Sequence, residues 1–289
     1  MATTAPVWFI TGSSAGLGLA LTRHALSKGH RVIASSRNPS KTPGLVSEVE
    51  AQGGKWLGLD ASQSEDEIKA TMQNAESIFE RIDILVNNAA YCVLGALEDI
   101  PDAETAAQMQ VNFVGPLRIM QAVLPGMRKR RSGVIMNVSS TQGICPGVAC
   151  GIYAASKAAL EAISESCSVE VAQFGIRILI VEPGAYRTNF ASVGKRIEPS
   201  EEYAADHAVA PWLRRVQTLP EMAMGDPNKA ASVMYEAATG EGDAGSLIKN
   251  ERLLRVIIGP DCWKIVDRKV SDLRRTVDLL KDVAASTNL

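Results

Sequence analysis

Short runs of apolar residues recur along the chain, and between them lie longer stretches whose apolar positions fall three and four residues apart. Four to six consecutive apolar residues bounded by turn residues read as strands buried on both faces, and the longer stretches read as amphipathic helices laid over them. VWFIT (7–11), RVIAS (31–35), KWLGL (55–59), IDILVN (82–87), GVIMNV (133–138) and IRILIV (176–181) predict six strands, and LLRVII (253–258) a seventh. Helices are predicted near 16–28, 64–80, 103–127, 152–174, 227–239 and 261–284. This alternation predicts one α/β domain over 1–289, a doubly wound parallel sheet of about seven strands with helices on both faces.

The alternation fails between 185 and 226, where YRTNF, EPSEEY and PWLRR mix aromatic, charged and proline residues without a clear strand. A long insertion of this kind in a compact domain is more often a binding segment than idle loop, so 185–226 is predicted to be a substrate lid. No internal repeat or Pro/Gly/Ser-rich linker divides the chain.

Composition removes several function classes. Net charge is −2 over 289 residues, so no bulk field favours nucleic acid. The one dense basic run, RKRR at 128–131, precedes a predicted strand and reads as a helix C-terminus whose cations complement the helix dipole. Five cysteines are odd in number and widely spaced, against a disulfide framework, and the three histidines (His24, His30, His207) show no metal-ligand spacing. The leading MATTAPVWFI lacks a charged signal-peptide start, and no segment approaches the ~18 apolar residues of a membrane span. A cytoplasmic chain is expected, with a small-molecule substrate and no metal.

Chemistry first appears at TGSSAGLG (11–18), directly after the first predicted strand and opening a helix. Gly12, Gly16 and Gly18, with Ser14 and Leu17 between them, form a variant of the dinucleotide fingerprint. In it small residues bring the backbone close to a pyrophosphate at a helix N-terminus, the mark of a Rossmann-type sheet. The second strand should end beside the adenosine ribose. There the chain carries Ser36 and Arg37 rather than an acidic residue, which favours the 2′-phosphate of NADP(H) over NAD(H). Asp60 and Ala61 end the third strand, where adenine would be met, and Asn87, Asn88 and Ala89 end the fourth.

In YAASK (153–157), Tyr153 and Lys157 stand one helical turn apart. A phenol titrates near ~10, and a neighbouring cation favours the phenolate, which would bring the group toward the range useful for proton transfer. The pair alone is equally consistent with a half-buried tyrosine and a solvated lysine on an amphipathic helix.

TGSSAGLG, NNAA, VNFVG, NVSS, YAASK and EPGAYRT stand in the order and spacing of the short-chain dehydrogenase/reductase family, and the chain resembles that family over nearly its whole length. VIASSRNP and the C-terminal GDPNKAA…LRVIIGPDCW are similar to its branch of 17β-hydroxysteroid dehydrogenase-like and retinol dehydrogenase-like enzymes. The resemblance implies that Tyr153 is the general acid/base, and that Lys157 lowers its pKa and bonds the nicotinamide ribose. It implies that Ser140, rather than Ser139, holds the substrate oxygen, and that Asn112 links Lys157 to solvent through a helix distortion and a water. Pro183, Gly184 and Thr188 then flank the nicotinamide, and a homodimer or homotetramer would form on the helices near 103–127 and 152–174. Ala90 departs from the family's NNAG, placing alanine where glycine has more backbone freedom. Cys145 and Cys150, between Ser140 and Tyr153, read as small apolar fillers. The expected activity is NADP(H)-dependent oxidoreduction of a carbonyl or secondary alcohol on a mostly apolar molecule. The alternative is a dinucleotide-binding protein with a non-redox role, since fold does not fix function.

Overall fold

The computed structural model describes residues 5–204 and 208–288. Residues 1–4 of the leading segment, 205–207 within the predicted lid (including His207) and residue 289 lie outside the described residues.

The predicted apolar runs form Val7–Ile10 (β1), Arg31–Ser36 (β2), Lys55–Gly58 (β3) and Ile84–Asn87 (β4). After a two-residue strand Val93–Leu94 (β5) come Gly133–Val138 (β6), Ile176–Pro183 (β7), a second two-residue strand Lys195–Arg196 (β8) and Arg255–Ile258 (β9). Seven of them make one parallel sheet in the order β3-β2-β1-β4-β6-β7-β9, while β5 and β8 pair separately. A central strand such as β1 is wholly buried, which explains its unbroken apolar run.

Helices Gly16–Ser27 (α1) and Pro43–Ala51 (α2) lie on one face of the sheet, and Glu65–Phe79 (α3) on the other. Ser64 and Glu67 close a reciprocal capping box at the start of α3, fixing that end where the sequence placed it. The helix predicted near 103–127 is instead Asp102–Met109 (α4), a π turn over Gln110–Val114, and Gly115–Arg130 (α5). Basic residues Arg128, Lys129 and Arg130 occupy the last turn of α5, as the RKRR run suggested. Thr141–Ile144 (α6) and Gly151–Ala172 (α7) follow β6.

The 185–226 segment departs from its prediction: it is mostly helical and contains a strand. Phe190–Val193 (α8), β8, Glu201–Ala204 (α9) and Val209–Met222 (α10) occupy it. Ala210, Leu213 and Val216 recur at threefold spacing and are buried, and Pro211 sits in the first helical turn, where its missing N–H costs nothing. Pro227–Thr239 (α11), Gly242–Asn250 (α12), Pro260–Leu279 (α13) and Lys281–Ala285 (α14) complete the chain.

Two cores flank the sheet. Leu21, Met234, Tyr235 and Ile248 from α1, α11 and α12 pack on one face; Ile68, Met72, Ile119, Met127 and Cys167 from α3, α5 and α7 pack on the other. Each fully buried apolar side chain contributes ~1.5–3 kcal/mol over its exposed state. Strand order reverses between β1 and its neighbours β2 and β4, which opens a crevice at the carboxyl ends of β1 and β4.

Candidate active site

The glycine turn is built at that crevice. Gly12 has φ +68° and Gly16 φ +56°, a region that favours glycine. A Cβ on Gly12 would lie 2.9 Å from the Ala89 Cα, and one on Gly18 would overlap the Asn88 carboxamide and the Gly12 carbonyl. Asn88 Nδ2 donates to the Thr11 carbonyl at 2.9 Å, and the Asn88 and Ala89 amides both donate to Thr11 Oγ1 at 2.9 Å. The ends of β1 and β4 are thus tied together below the turn. Ser13 is consumed inside, its hydroxyl donating to the Ile10 carbonyl at 2.9 Å. Helix α1 starts without a side-chain cap and with no carboxylate in its first turn, leaving its amides to an anion. Ser14, Gly16 and Leu17 are half-buried around that helix end, and the Thr188 methyl faces Gly16 from the far side, 3.3 Å from where a Cβ would lie. These features fit a dinucleotide pyrophosphate. Gly18→Ala is expected to destabilise the fold by ~1–3 kcal/mol through overpacking, read as a lower urea midpoint, and to weaken dinucleotide binding.

Further along the crevice, Arg37 is exposed at the end of β2, while Ser36 is buried and accepts the Trp56 indole N–H at 3.0 Å. Asp60 Oδ1 accepts from the Ser62 amide and hydroxyl at 2.9 and 2.7 Å, and Ala61 is buried against Gly115. On the other side β7 ends at Pro183, whose carbonyl accepts from Thr141 Oγ1 at 3.1 Å. A side chain on Gly184 would overlap the Asp261 carboxylate, which accepts from the Ala185 amide at 2.7 Å. Ala90 has no positive φ, so alanine fits there without backbone strain.

Ser140, Tyr153 and Lys157 come together at the carboxyl end of β6. Ser140 caps α6, is half-buried and hydrogen-bonds the Tyr153 side chain. Ser139 turns the other way, donating to Glu161 Oε1 at 2.5 Å. Lys157 is 3 % exposed, donates from Nζ to the Val138 carbonyl at 2.8 Å, and holds that nitrogen 5.9 Å from the Tyr153 ring centre. Asn112 lies in the π turn, a distortion common at functional sites. Its carboxamide accepts from the Tyr91 amide at 3.2 Å and donates to the Tyr91 carbonyl at 2.9 Å and to Ser156 Oγ at 3.1 Å, beside Lys157 in the chain.

The electrostatics correct one expectation. Burial pushes Tyr153 well above the ordinary phenol range, the Ser140 hydrogen bond opposes it only in part, and Cys92 and Cys150 add to the rise. Lys157 is itself pushed from 10.5 to about 8 by burial, against the pull of Glu161. Desolvation therefore sets the direction, and Tyr153 stays a phenol at neutral pH in the unliganded chain.

Three neighbours of the site, Cys92, Glu161 and Arg255, were not singled out by sequence, while Phe190 stands in the YRTNF stretch of the predicted lid. Cys92 is buried beside Tyr153 in an apolar cluster with Leu94, Cys150, Val209, Leu213 and Val216. Burial lifts its thiol to about 12, and that of Cys150 also rises, as befits inert fillers. Phe190 tilts over Tyr153 with ring centres 5.8 Å apart. Glu161 joins Ser139 to Arg255, at 2.7 Å from Nη1, and Arg255 also pairs with buried Glu182 and exposed Glu165. Only the spacing of Glu161 four residues past Lys157 could have hinted at its place.

The short chain dehydrogenase family profile matches residues 6–196. The chain is 45% identical to oxidoreductase claN of Passalora fulva over 195 residues, covering 67% of this chain and 88% of that protein. A crystal structure of a short-chain dehydrogenase from Streptomyces avermitilis superimposes with a TM-score of 0.86 at 32% identity, covering 100% of both chains. A metagenomic short-chain oxidoreductase solved with NADP gives a TM-score of 0.60 at 32% identity, over 65% of this chain and 86% of that one.

Proposed function

This chain belongs to the short-chain dehydrogenase family of oxidoreductases, and we propose that it transfers hydride between NADP(H) and a carbonyl or secondary alcohol on a small, mostly apolar molecule. The observation that carries this reading is the convergence of Tyr153, Ser140 and Lys157 at the dinucleotide crevice, against an apolar cluster to which α10 adds Val209, Leu213 and Val216.

A bound nicotinamide supplies the hydride. Tyr153 and Ser140 aim two hydroxyls at one place, where both can hold a carbonyl oxygen and stabilise charge developing on it. Tyr153 then gives its phenolic proton to that oxygen. The acceptor is an alkoxide about as basic as hydroxide, so the transfer runs downhill even from a raised phenol. Lys157 holds a positive charge below the ring and is in reach of a ribose hydroxyl. Asn112 would pass a replacement proton toward it by way of water. The 185–226 segment serves as the lid: Phe190, Leu213 and Trp212 cover Tyr153 and exclude solvent. Chain assembly as a homodimer or homotetramer through α5 and α7 belongs to the same reading.

Preference for NADP(H) rests on Arg37, exposed at the end of β2 with no carboxylate beside it in the chain, and is in keeping with the NADP held by the metagenomic relative. Arg37→Ala is expected to lower kcat/KM for NADPH about 10- to 100-fold, the worth of one or two charge-assisted hydrogen bonds, and to leave that for NADH nearly unchanged. Equal losses with both dinucleotides would remove the preference. The activity itself is tested by reduced-nicotinamide absorbance, which should fall when a panel of ring ketones is added with NADPH.

A further inference from the structure

Helix α13 is anchored only at its start. Cys262 and Val266 are buried, but residues 271–288 are all exposed, Leu273 at 51 %, Val277 at 63 % and Leu280 at 50 % among them. A helix reaching this far from the body gains little from its own backbone, because helices are held mostly by burial of an apolar face. Its apolar residues are not scattered. Trp263, Val266, Val270, Leu273, Val277 and Leu280 stand at intervals of 3, 4, 3, 4 and 3, a heptad seam that Ala284 extends to three full repeats. A seam with this period fits another helix of the same kind better than a flat surface, because each residue becomes a knob for a facing hole.

We propose that the outer part of α13, with α14, pairs with the same segment of a second copy of this chain as a short two-stranded coiled coil. The a positions are then Val270, Val277 and Ala284 and the d positions Leu273 and Leu280, all exposed, whereas Val266 is already buried against its own chain. The flanking charges decide the direction. A parallel pair sets Lys269 of each helix against Arg274 of the other, like against like. An antiparallel pair centred on the exposed seam sets Asp267 opposite Lys281 twice over by symmetry, against a single Arg274–Arg274 contact on the axis. The pairing is therefore antiparallel. Arg274 and Asp278, 3.4 Å apart on one helix, brace its exposed face. This interface is separate from the α5 and α7 surfaces, so where both form, the helical pair doubles whatever assembly those surfaces make.

The test is the solution mass of the full chain by light scattering, beside a Leu273→Glu/Val277→Glu double variant. Both residues are exposed, at 51 % and 63 %, and neither belongs to the reacting groups, so NADPH-dependent activity and the thermal midpoint serve as controls for folding. The expected result is a twofold fall in assembly mass in the variant, with both controls unchanged. An unchanged mass would overturn the pairing. So would helix-dependent sedimentation of the chain with anionic lipid vesicles without a change in its mass, which would assign the face to a lipid surface. Direction is read by oxidative cross-linking: Asp267→Cys and Lys281→Cys chains should link when mixed, whereas Lys281→Cys linking to itself would reverse the orientation.

Discussion

Tyr153→Phe lowers turnover by ~10³-fold or more and leaves dinucleotide affinity within about twofold of wild type, by general-acid and oxyanion reasoning. The variant keeps the ring that packs against Phe190 and removes only the hydroxyl shared with Ser140. Cys92 and Cys150, the nearest acidic groups, lie in the apolar cluster, and neither shares the hydrogen bond to Ser140 that places the Tyr153 hydroxyl. Ser140 remains and can still bind the oxygen, but an aliphatic hydroxyl does not give up its proton at neutral pH. The effect should therefore appear in kcat far more than in KM, as expected for an interaction realised in the transition state. Retention of most activity would remove Tyr153 from the chemistry. Rate-limiting dinucleotide release could hide the chemical step, so single-turnover rates are the proper readout.

Lys157→Met is expected to cost activity and to gain stability, a pairing that separates a functional charge from a structural one. The ammonium is 3 % exposed, and its pKa of about 8 lies below the 10.5 of the ordinary group, so folding favours its neutral form. Between about pH 8 and 10 the unfolded chain therefore holds a proton that the folded chain has released, and wild-type stability rises with pH across that window. Below about pH 8 the folded chain bears the full cost of the buried charge. Removing the charge should stabilise the unliganded variant at pH 7 by up to about 3 kcal/mol, less the loss of the bond to the Val138 carbonyl. That advantage should shrink toward pH 10, as denaturant midpoints taken across the window would show. Over the same range wild-type kcat/KM for reduction should fall above about pH 8, as Lys157 loses the proton that keeps it cationic. A variant less stable at pH 7 than at pH 9, relative to wild type, would contradict the sign.

Much of this was legible in the chain because sheet burial and glycine geometry write themselves locally. Gly133–Val138 is a strand with the predicted bounds, since six apolar or small residues between polar turns admit little else. Gly12 and Gly18 were legible because no other residue fits their backbone or the Asn88 contact. The family resemblance chose Ser140 over Ser139, and the structure turns the two hydroxyls to different partners. The remainder depends on tertiary contact. Helix α12 was missed because GDAGSLIKN carries two glycines, yet Gly245 is there because α11 approaches so closely that a Cβ would overlap the Glu236 carbonyl. The π turn at Asn112 leaves no trace in a helical period, and only the family resemblance gave a helix distortion there. The tyrosine–lysine pair was legible as neighbours, but their proton affinities were not: desolvation depends on Leu94, Leu213 and Val216, which come from segments distant in the chain.

The measurement that bears most directly on the central claim is transfer of deuterium from NADPH labelled at its hydride position to an added ring ketone, followed in wild type and in Tyr153→Phe. The expected result is one deuterium on the carbinol carbon of the alcohol formed by wild type, and almost none with the variant. Dinucleotide bound tightly by both proteins, with no label transferred to any ketone of a broad panel, would contradict it.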